Sequence, residues 1–289
     1  MDFLRPESWE EALAARAERP DALPIQGGTD VMVELNFDLR RPAALLDLGA
    51  VRELAGWETL PDGTVRVGAG VSYARLITGL GDRLPGLAQA ARTVGSPQIR
   101  NRGTVGGNLG AASPAGDAHP PLLAAGAVYE VESAARGVRL VPAAEFYAGV
   151  KRNALGPDEL IRAFRQAPAA GPQYFSKIGP RNAMVIAVCS FALALFPAER
   201  RVGTGLGSAA PTPRRAYEAE EFLAAEADWD ADLDDAVAGR FAELVSAAAS
   251  PIDDVRGTAE YRRHALGVLA RRTLTWAWND HRKGAGACA

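Results

Sequence analysis

The sequence predicts an α+β fold, with a strand-and-hairpin region followed by a more helical end. Three observations predict it. Short strand-like runs mix with short helical runs up to about residue 166, without the regular alternation of a doubly wound parallel sheet. Two pairs of these runs are joined by tight turn signals, Pro61-Asp62-Gly63 and Ala134 to Gly137, as in antiparallel hairpins. The last third changes character: three strand-like runs are followed by three helical stretches. No internal repeat is present.

Taking the chain in order, Phe3 to Arg5 forms a short strand ended by Pro6. Ser8, with Glu11 three residues on, is a capping box that opens a helix from Glu10 to Arg19. Leu23 to Gln26 is a short apolar strand, followed at once by Gly27-Gly28-Thr29-Asp30. Val31 to Leu35 then opens a helix that Thr29 or Asp30 would cap. Leu45 to Leu48 is another strand, and Trp57 to Gly70 is a hairpin in which Val65-Arg66-Val67 alternates as a strand does. Ser72 caps a helix through Ile77, and a second helical segment covers Leu84 to Val94. Beyond Pro121, Ala127 to Glu132 and Val138 to Val141 pair across a tight turn, and Ala143 to Tyr147 is a short helix. Asp158 to Phe164 is the next strand, and Gln166 to Pro172 reads as a linker rich in Ala, Pro and Gly.

Tyr174 to Ile178 is a strand, and the apolar run Met184 to Phe196 reads as one buried strand. Val202 to Gly207 carries GTGLG, half of a dinucleotide fingerprint. Pro211 and Pro213 prevent a helix from opening on its last glycine, so these glycines are expected to permit close packing. Helices follow at 214–225, 236–249 and 258–279. In the last, Tyr261, Ala265, Val268, Leu269 and Trp276 are expected to form the core face.

Composition excludes several classes of function. A net charge of −3 leaves no basic footprint for nucleic acid. The longest apolar run, Ala183 to Phe196, is too short to span a membrane. The acidic N-terminus lacks the layout of a signal peptide, so a cytoplasmic location is expected. Cys189 and Cys288 are far apart and neither sits in a CxxC, which argues against an iron–sulfur cluster or cysteine zinc site here. Cys189 is expected in the core and Cys288 lies in a Gly/Ala tail. His119, His264 and His281 are scattered, and only His119 adjoins a motif from which it could face a ligand. No nucleophile–base pair and no carboxylate dyad is evident.

The most unusual stretch runs from Gly95 to Pro121, with six glycines in 27 residues and no large aromatic. It reads as a loop rather than a core element. Thr104-Val105-Gly106-Gly107-Asn108 is expected to offer consecutive N–H groups to an anion such as a pyrophosphate. Gly27-Gly28, at a strand end, is a second site of the same kind. Two such sites suit a dinucleotide, and a dinucleotide without a catalytic constellation suits a flavoprotein, because the flavin carries the redox chemistry.

Four segments, QGGTD (26–30), IRNRGTVGGNLGAASPAGD (99–117), YFSKIGPRNAM (174–184) and GLGSAAPTPRRA (205–216), occur in this order and spacing. Together they resemble the FAD-binding medium subunit of the molybdenum hydroxylases, the family that includes xanthine dehydrogenase and aerobic carbon monoxide dehydrogenase. The resemblance covers about Phe3 to Trp278; Gln26 stands where the family often has Ala. It implies a two-part PCMH-type FAD-binding fold, with a small N-terminal α/β unit (1–50) and a larger middle α/β unit (51–166). A C-terminal unit (173–280) would pack a three-stranded antiparallel sheet against helices. By motif, Pro24, Ile25, Gln26, Gly27, Gly28, Thr29, Asp30 and Val31 would hold the FAD pyrophosphate together with Thr104, Val105, Gly106, Gly107 and Asn108. Asp117 would accept from the adenosine ribose or a neighbouring polar group, Leu160 would lie along the flavin, and Lys177 would reach the flavin or its ribityl chain.

The resemblance also implies partners: a large subunit bearing a molybdopterin cofactor and a small subunit with two 2Fe-2S clusters, assembled as a dimer of heterotrimers. Electrons would pass from the clusters to FAD and on to NAD+, oxygen or another acceptor. Two rival readings are a self-contained FAD-dependent oxidoreductase of the same fold and a flavin-free scaffold subunit. The first would need a substrate cap with acid–base side chains, and the intact glycines 27, 28, 106 and 107 argue against the second.

Overall fold

The structure is a computed structural model that describes residues 1–286. Cys288 lies outside the described residues. The chain begins with a three-stranded parallel sheet ordered β1-β3-β2, built from β1 (Asp2–Leu4), β2 (Leu23–Ile25) and β3 (Ala44–Asp47). Helix α1 (Trp9–Glu18) crosses from β1 to β2, and its N-cap Ser8 accepts from the Glu11 N–H at 3.2 Å. The Glu11 carboxylate turns back to the Glu7 N–H at 2.8 Å, one residue earlier than a capping box would place it. Helix α2 (Val31–Asn36) follows β2 through the Gly-Gly turn. Neither Thr29 nor Asp30 caps it with a side chain, and the first turn closes through Met32 N–H to Gly28 O at 3.0 Å.

The second sheet is antiparallel, ordered β4-β5-β10-β6-β7, from β4 (Trp57–Thr59), β5 (Val65–Gly68), β6 (Val128–Ser133), β7 (Gly137–Pro142) and β10 (Leu160–Gln166). Helices α3 (Tyr73–Leu80) and α4 (Pro85–Thr93) follow β5. The glycine-rich stretch supplies three more, α5 (Pro97–Arg102), α6 (Val105–Ala111) and α7 (His119–Ala124). It is therefore not a bare loop, and it does enter the core: Val105, Leu109, Ala112 and Ala118 are buried. Small residues compensate for missing bulk by close approach. Gly106 sits so near β5 that a Cβ there would lie 2.4 Å from Ala69 Cβ.

Between α8 (Ala143–Phe146) and β10 lies a small hairpin, β8 (Tyr147–Gly149) with β9 (Arg152–Asn153), for which the sequence carries no clear strand pattern. The C-terminal part is a three-stranded antiparallel sheet of β11 (Gln173–Ile178), β12 (Cys189–Phe196) and β13 (Arg201–Gly207), backed by α9 (Tyr217–Glu226), α10 (Asp235–Ala247) and α11 (Ala259–Gly286). The predicted strand from Met184 begins only at Cys189, where pairing with Ile178 starts. Met184 has φ +51°, a left-handed backbone that a strand cannot continue through. On α11, Ala265 and Leu269 are buried as expected, but Tyr261 and Trp276 are 47% and 48% exposed. Leu266, Ala270, Leu274, Ala277 and Trp278 fill the core face instead, because the helix packs on both β12 and α10 and so presents a wider stripe.

Apolar side chains from Trp9 to Phe164 form one core, and those from Cys189 to Trp278 a second. A small third cluster of Ala90, Ala124, Phe175, Ala192, Ala194 and Phe196 joins them. The seam is α7 against β13. Hypothetical Cβ atoms on Gly203 and Gly205 would lie 1.9 Å from Ala124 O and 2.0 Å from Pro120 O. The glycines of GTGLG serve this close packing, as the sequence suggested. Gly203→Ala should therefore destabilise the chain by about 2 kcal/mol or more. Gly239→Ala, in the interior of α10 with open space around it, should stabilise it by about 0.5–1 kcal/mol. Denaturant midpoints of the two variants check both signs.

Candidate functional site

The two glycine segments, some seventy residues apart in sequence, meet in space. A Cβ on Gly27 would lie 2.0 Å from the carbonyl oxygen of Arg102, so only glycine lets β2's exit turn rest on the end of α5. Gly28 takes φ +76°, a left-handed conformation that also favours glycine. Gly103 O accepts from Tyr73 N–H at 3.0 Å and anchors the start of α3 to the same junction. Beside the junction opens a cavity of about 580 Å³, within the range of a cofactor site.

Pro24 to Val31 line this cavity along one wall. Thr104, Gly106, Gly107, Asn108, Asp117, Leu160 and Lys177 line others. Val105 is the exception: its side chain is fully buried in the core and does not face the cavity, because it lies on the inner side of the first turn of α6. The expectation of free N–H groups from Thr104 to Asn108 also needs correction. Gly106 N–H donates to Ala69 O (3.1 Å), Gly107 N–H to the Thr104 hydroxyl (3.0 Å) and Asn108 N–H to Thr104 O (3.1 Å). Thr104 is the N-cap of α6, so its own hydroxyl occupies the helix's leading donor. What remains open is space. A Cβ on Gly107 would have only the Thr104 hydroxyl nearby, at 3.2 Å, and that side of the helix faces the cavity.

Asp117 and Lys177 act as one unit. Lys177, on β11, donates to Asp117 Oδ2 at 2.6 Å across the seam between the two cores, and the Thr93 hydroxyl lies 2.9 Å from the same oxygen. Burial pushes the Asp117 carboxyl above its ordinary value, and the Lys177 charge opposes that rise. Its other oxygen, Asp117 Oδ1, is buried and unpartnered. So are Arg16 Nε, Gln26 Oε1, Tyr73 Oη and Asn108 Oδ1, on four further residues of the cavity lining. Buried polar atoms are paired in most native proteins, so this concentration beside one cavity fits a polar ligand.

Several lining residues were not legible in the sequence. Tyr73 carries no motif and reads as an ordinary helix residue. Lys151 and Asn153 come from the unpredicted hairpin, where Lys151 pairs with Glu34 of α2 at 2.7 Å and draws that carboxyl below its usual range. The loop 155–159 is pinned by Glu159, whose carboxyl is held at about 2 by hydrogen bonds from Arg139, with the Gly156 N–H adding to them. Val185 and Ile186 reach the cavity from the loop that had been assigned to a strand. Two motif residues stand elsewhere: Arg100 donates to the carbonyls of Val94 and Gly95 behind the site, and Arg102 is exposed. His119 is fully buried and does not line the cavity.

A parallel β-unit and an antiparallel β-unit share this glycine-lined cavity, and the unpartnered polar atoms in its wall fit a nucleotide-type ligand. Residues 1–166 match the family described as "FAD binding domain in molybdopterin dehydrogenase", and residues 174–277 match "CO dehydrogenase flavoprotein C-terminal domain". The carbon monoxide dehydrogenase medium chain of Afipia carboxidovorans is 33% identical over 282 residues, covering 95% of each chain. The xanthine dehydrogenase FAD-binding subunit of Escherichia coli O157:H7 is 31% identical over 281 residues, covering 92% of each. Among solved structures, carbon monoxide dehydrogenase from Hydrogenophaga pseudoflava superimposes with a TM-score of 0.89 at 28% identity, covering 97% of this chain and 98% of that one. Quinoline 2-oxidoreductase from Pseudomonas putida 86 gives 0.89 at 26% identity and 98% of each. The chain belongs to the family of FAD-binding subunits of the molybdopterin dehydrogenases.

The buried Asp117–Lys177 pair yields a stability prediction. Replacing Lys177 by Met leaves a buried carboxylate without its cation, which costs about 3–5 kcal/mol. The sign with pH follows from the raised Asp117 value. The folded state holds the proton to higher pH than the unfolded one, so stability falls as pH rises upward from the ordinary value of 3.8. Removing Lys177 extends that window upward. Urea titrations should find Lys177→Met more destabilised at about pH 7.5 than at about pH 5. Adding Asp117→Asn should remove most of the difference.

Proposed function

We propose that this chain is the FAD-carrying electron-transfer subunit of a molybdenum hydroxylase complex. The observation that carries the proposal is the convergence on one cavity of about 580 Å³ of both glycine segments and of unpartnered buried polar atoms of Arg16, Gln26, Tyr73 and Asp117. Bound there, FAD would take electrons from the 2Fe-2S clusters of a partner and pass them to NAD+, oxygen or another acceptor. Every other role belongs to the chain's own residues.

In this reading Pro24 to Val31 and the segment from Thr104 to Asn108, apart from the Val105 side chain, hold the pyrophosphate region. Gly107 leaves room for it on the open side of α6, while Gly27 and Gly106 let the walls pack closely behind. The Thr104 hydroxyl can rotate away and leave the Gly107 N–H to a phosphate oxygen, which exchanges one acceptor for a charged one. Asp117 Oδ1 and Tyr73 Oη meet polar groups of the cofactor, Lys177 holds Asp117 in place, and Leu160 supplies an apolar wall. We assign residues 1–50 and 51–166 to the two FAD-binding units and residues 173–280 to the C-terminal unit. The seam between the last two is where Lys177 crosses.

The partners proposed are a large molybdopterin-binding subunit and a small 2Fe-2S subunit, in a dimer of heterotrimers. The names of the relatives support this, since they are medium chains or subunits of dehydrogenases.

Gly107→Asp tests the assignment. The added carboxylate has room, so the melting temperature should be nearly unchanged, but it puts a negative charge where the pyrophosphate belongs. Like-charge juxtaposition costs several kcal/mol, so FAD affinity should fall by at least about 100-fold. The purified variant should lose the visible flavin absorbance of the wild type. A folded Gly107→Asp protein with a full flavin complement would overturn the site.

A further inference from the structure

Behind the cavity wall lies a chain of buried polar groups that no motif announces. Tyr129 Oη is 2.9 Å from Tyr147 Oη, and Tyr147 Oη is 2.9 Å from His119 Nδ1. The His119 and Tyr147 rings stack edge to face at 4.9 Å. His119 is fully buried, and its other nitrogen, Nε2, has no hydrogen-bond partner. Nε2 is aimed at the cavity lining. A methyl group on Gly116 would lie 2.4 Å from Nε2 and 2.8 Å from Asn108 Oδ1, so both atoms converge on one spot. Asn108 Oδ1 is itself buried and unpartnered.

Two tautomers of the imidazole are possible, and the surroundings discriminate between them. An amide oxygen can only accept, so Nε2, which shares the Gly116 spot with Asn108 Oδ1, is the donor. Nδ1 is then the acceptor, Tyr147 must donate to it, and Tyr129 must donate to Tyr147. Each hydroxyl in the series uses its proton once. The imidazole remains uncharged through the physiological range, because burial drives its value down to about 3.

We propose that His119 is a positioning residue for the cavity: its Nε2–H, set by Tyr147 and Tyr129, holds the Asn108 carboxamide with Oδ1 inward and Nδ2–H2 toward the ligand. Neither atom has a direct partner, so the contact runs through one ordered water at the Gly116 gap. Asn108 then presents two donors and no acceptor, which selects a hydrogen-bond acceptor of the cofactor, whether phosphate oxygen, carbonyl or ring nitrogen. The opposite tautomer would turn the amide over and present Oδ1. The inference rests on the FAD reading for the identity of the ligand but not for the tautomer.

Two measurements on the full chain test it. Nitrogen-15 NMR of histidine-labelled protein, with the His119 signals assigned by His119→Gln, reads the tautomer directly. The Nε2–H form is expected, and the Nδ1–H form overturns the proposal. FAD affinity is then compared in a double-mutant cycle. Tyr147→Phe removes one hydroxyl without changing volume and should weaken FAD by about tenfold when Asn108 is present, the size of one net hydrogen bond. In an Asn108→Ala background the same change should alter affinity less than about twofold. Equal losses in both backgrounds would mean that Tyr147 acts only on stability, and would overturn the positioning role. Should the wild-type chain bind no FAD at all, the proposed function fails, while the NMR tautomer still decides the inference.

Discussion

The structure depends on one close contact, the rest of Gly27 on the backbone of Arg102 and Gly103. There the turn leaving the parallel sheet touches the turn between α5 and α6 with no side chain between them. Any larger residue at 27 would push the segments apart, and the cavity exists because they are not apart. The strain is local and the effect is global. Thr104, at the start of α6, and Tyr73, at the start of α3, are both oriented from this junction.

Around that contact the chain uses smallness where most cores use bulk. Gly106 lies on Ala69, Gly203 on Ala124 and Gly205 on Pro120. Backbone-to-backbone packing of this kind leaves little tolerance. It also buries peptide groups whose hydrogen bonds must be made internally, which explains why the N–H groups of α6's first turn already have partners. The site therefore offers shape and oriented side-chain dipoles more than a row of idle donors.

Charge is arranged with similar economy. The Asp117–Lys177 pair is nearly buried and spans the seam between the two large cores. It ties the C-terminal sheet to the cavity wall, and it leaves one carboxylate oxygen buried and unpartnered there.

The sequence by itself determined most strands and helices outside the 95–121 stretch, the two glycine segments, the packing role of GTGLG and, through motif order, the family. These are properties of local pattern: caps, periodicity and the steric permission of glycine act over a few residues. It did not determine where the apolar run after Met184 becomes a strand, or which face of α11 turns inward, because pairing with β11 and packing on two neighbours decide both. The β8–β9 hairpin, and with it Lys151 and Asn153, had no pattern long enough to see. Tyr73, the Asp117–Lys177 pair and the His119–Tyr147–Tyr129 chain were likewise invisible. Their meaning lies in contacts between residues 18 to 60 positions apart or more, and only the closed tertiary structure, by excluding water from them, makes each hydrogen bond count.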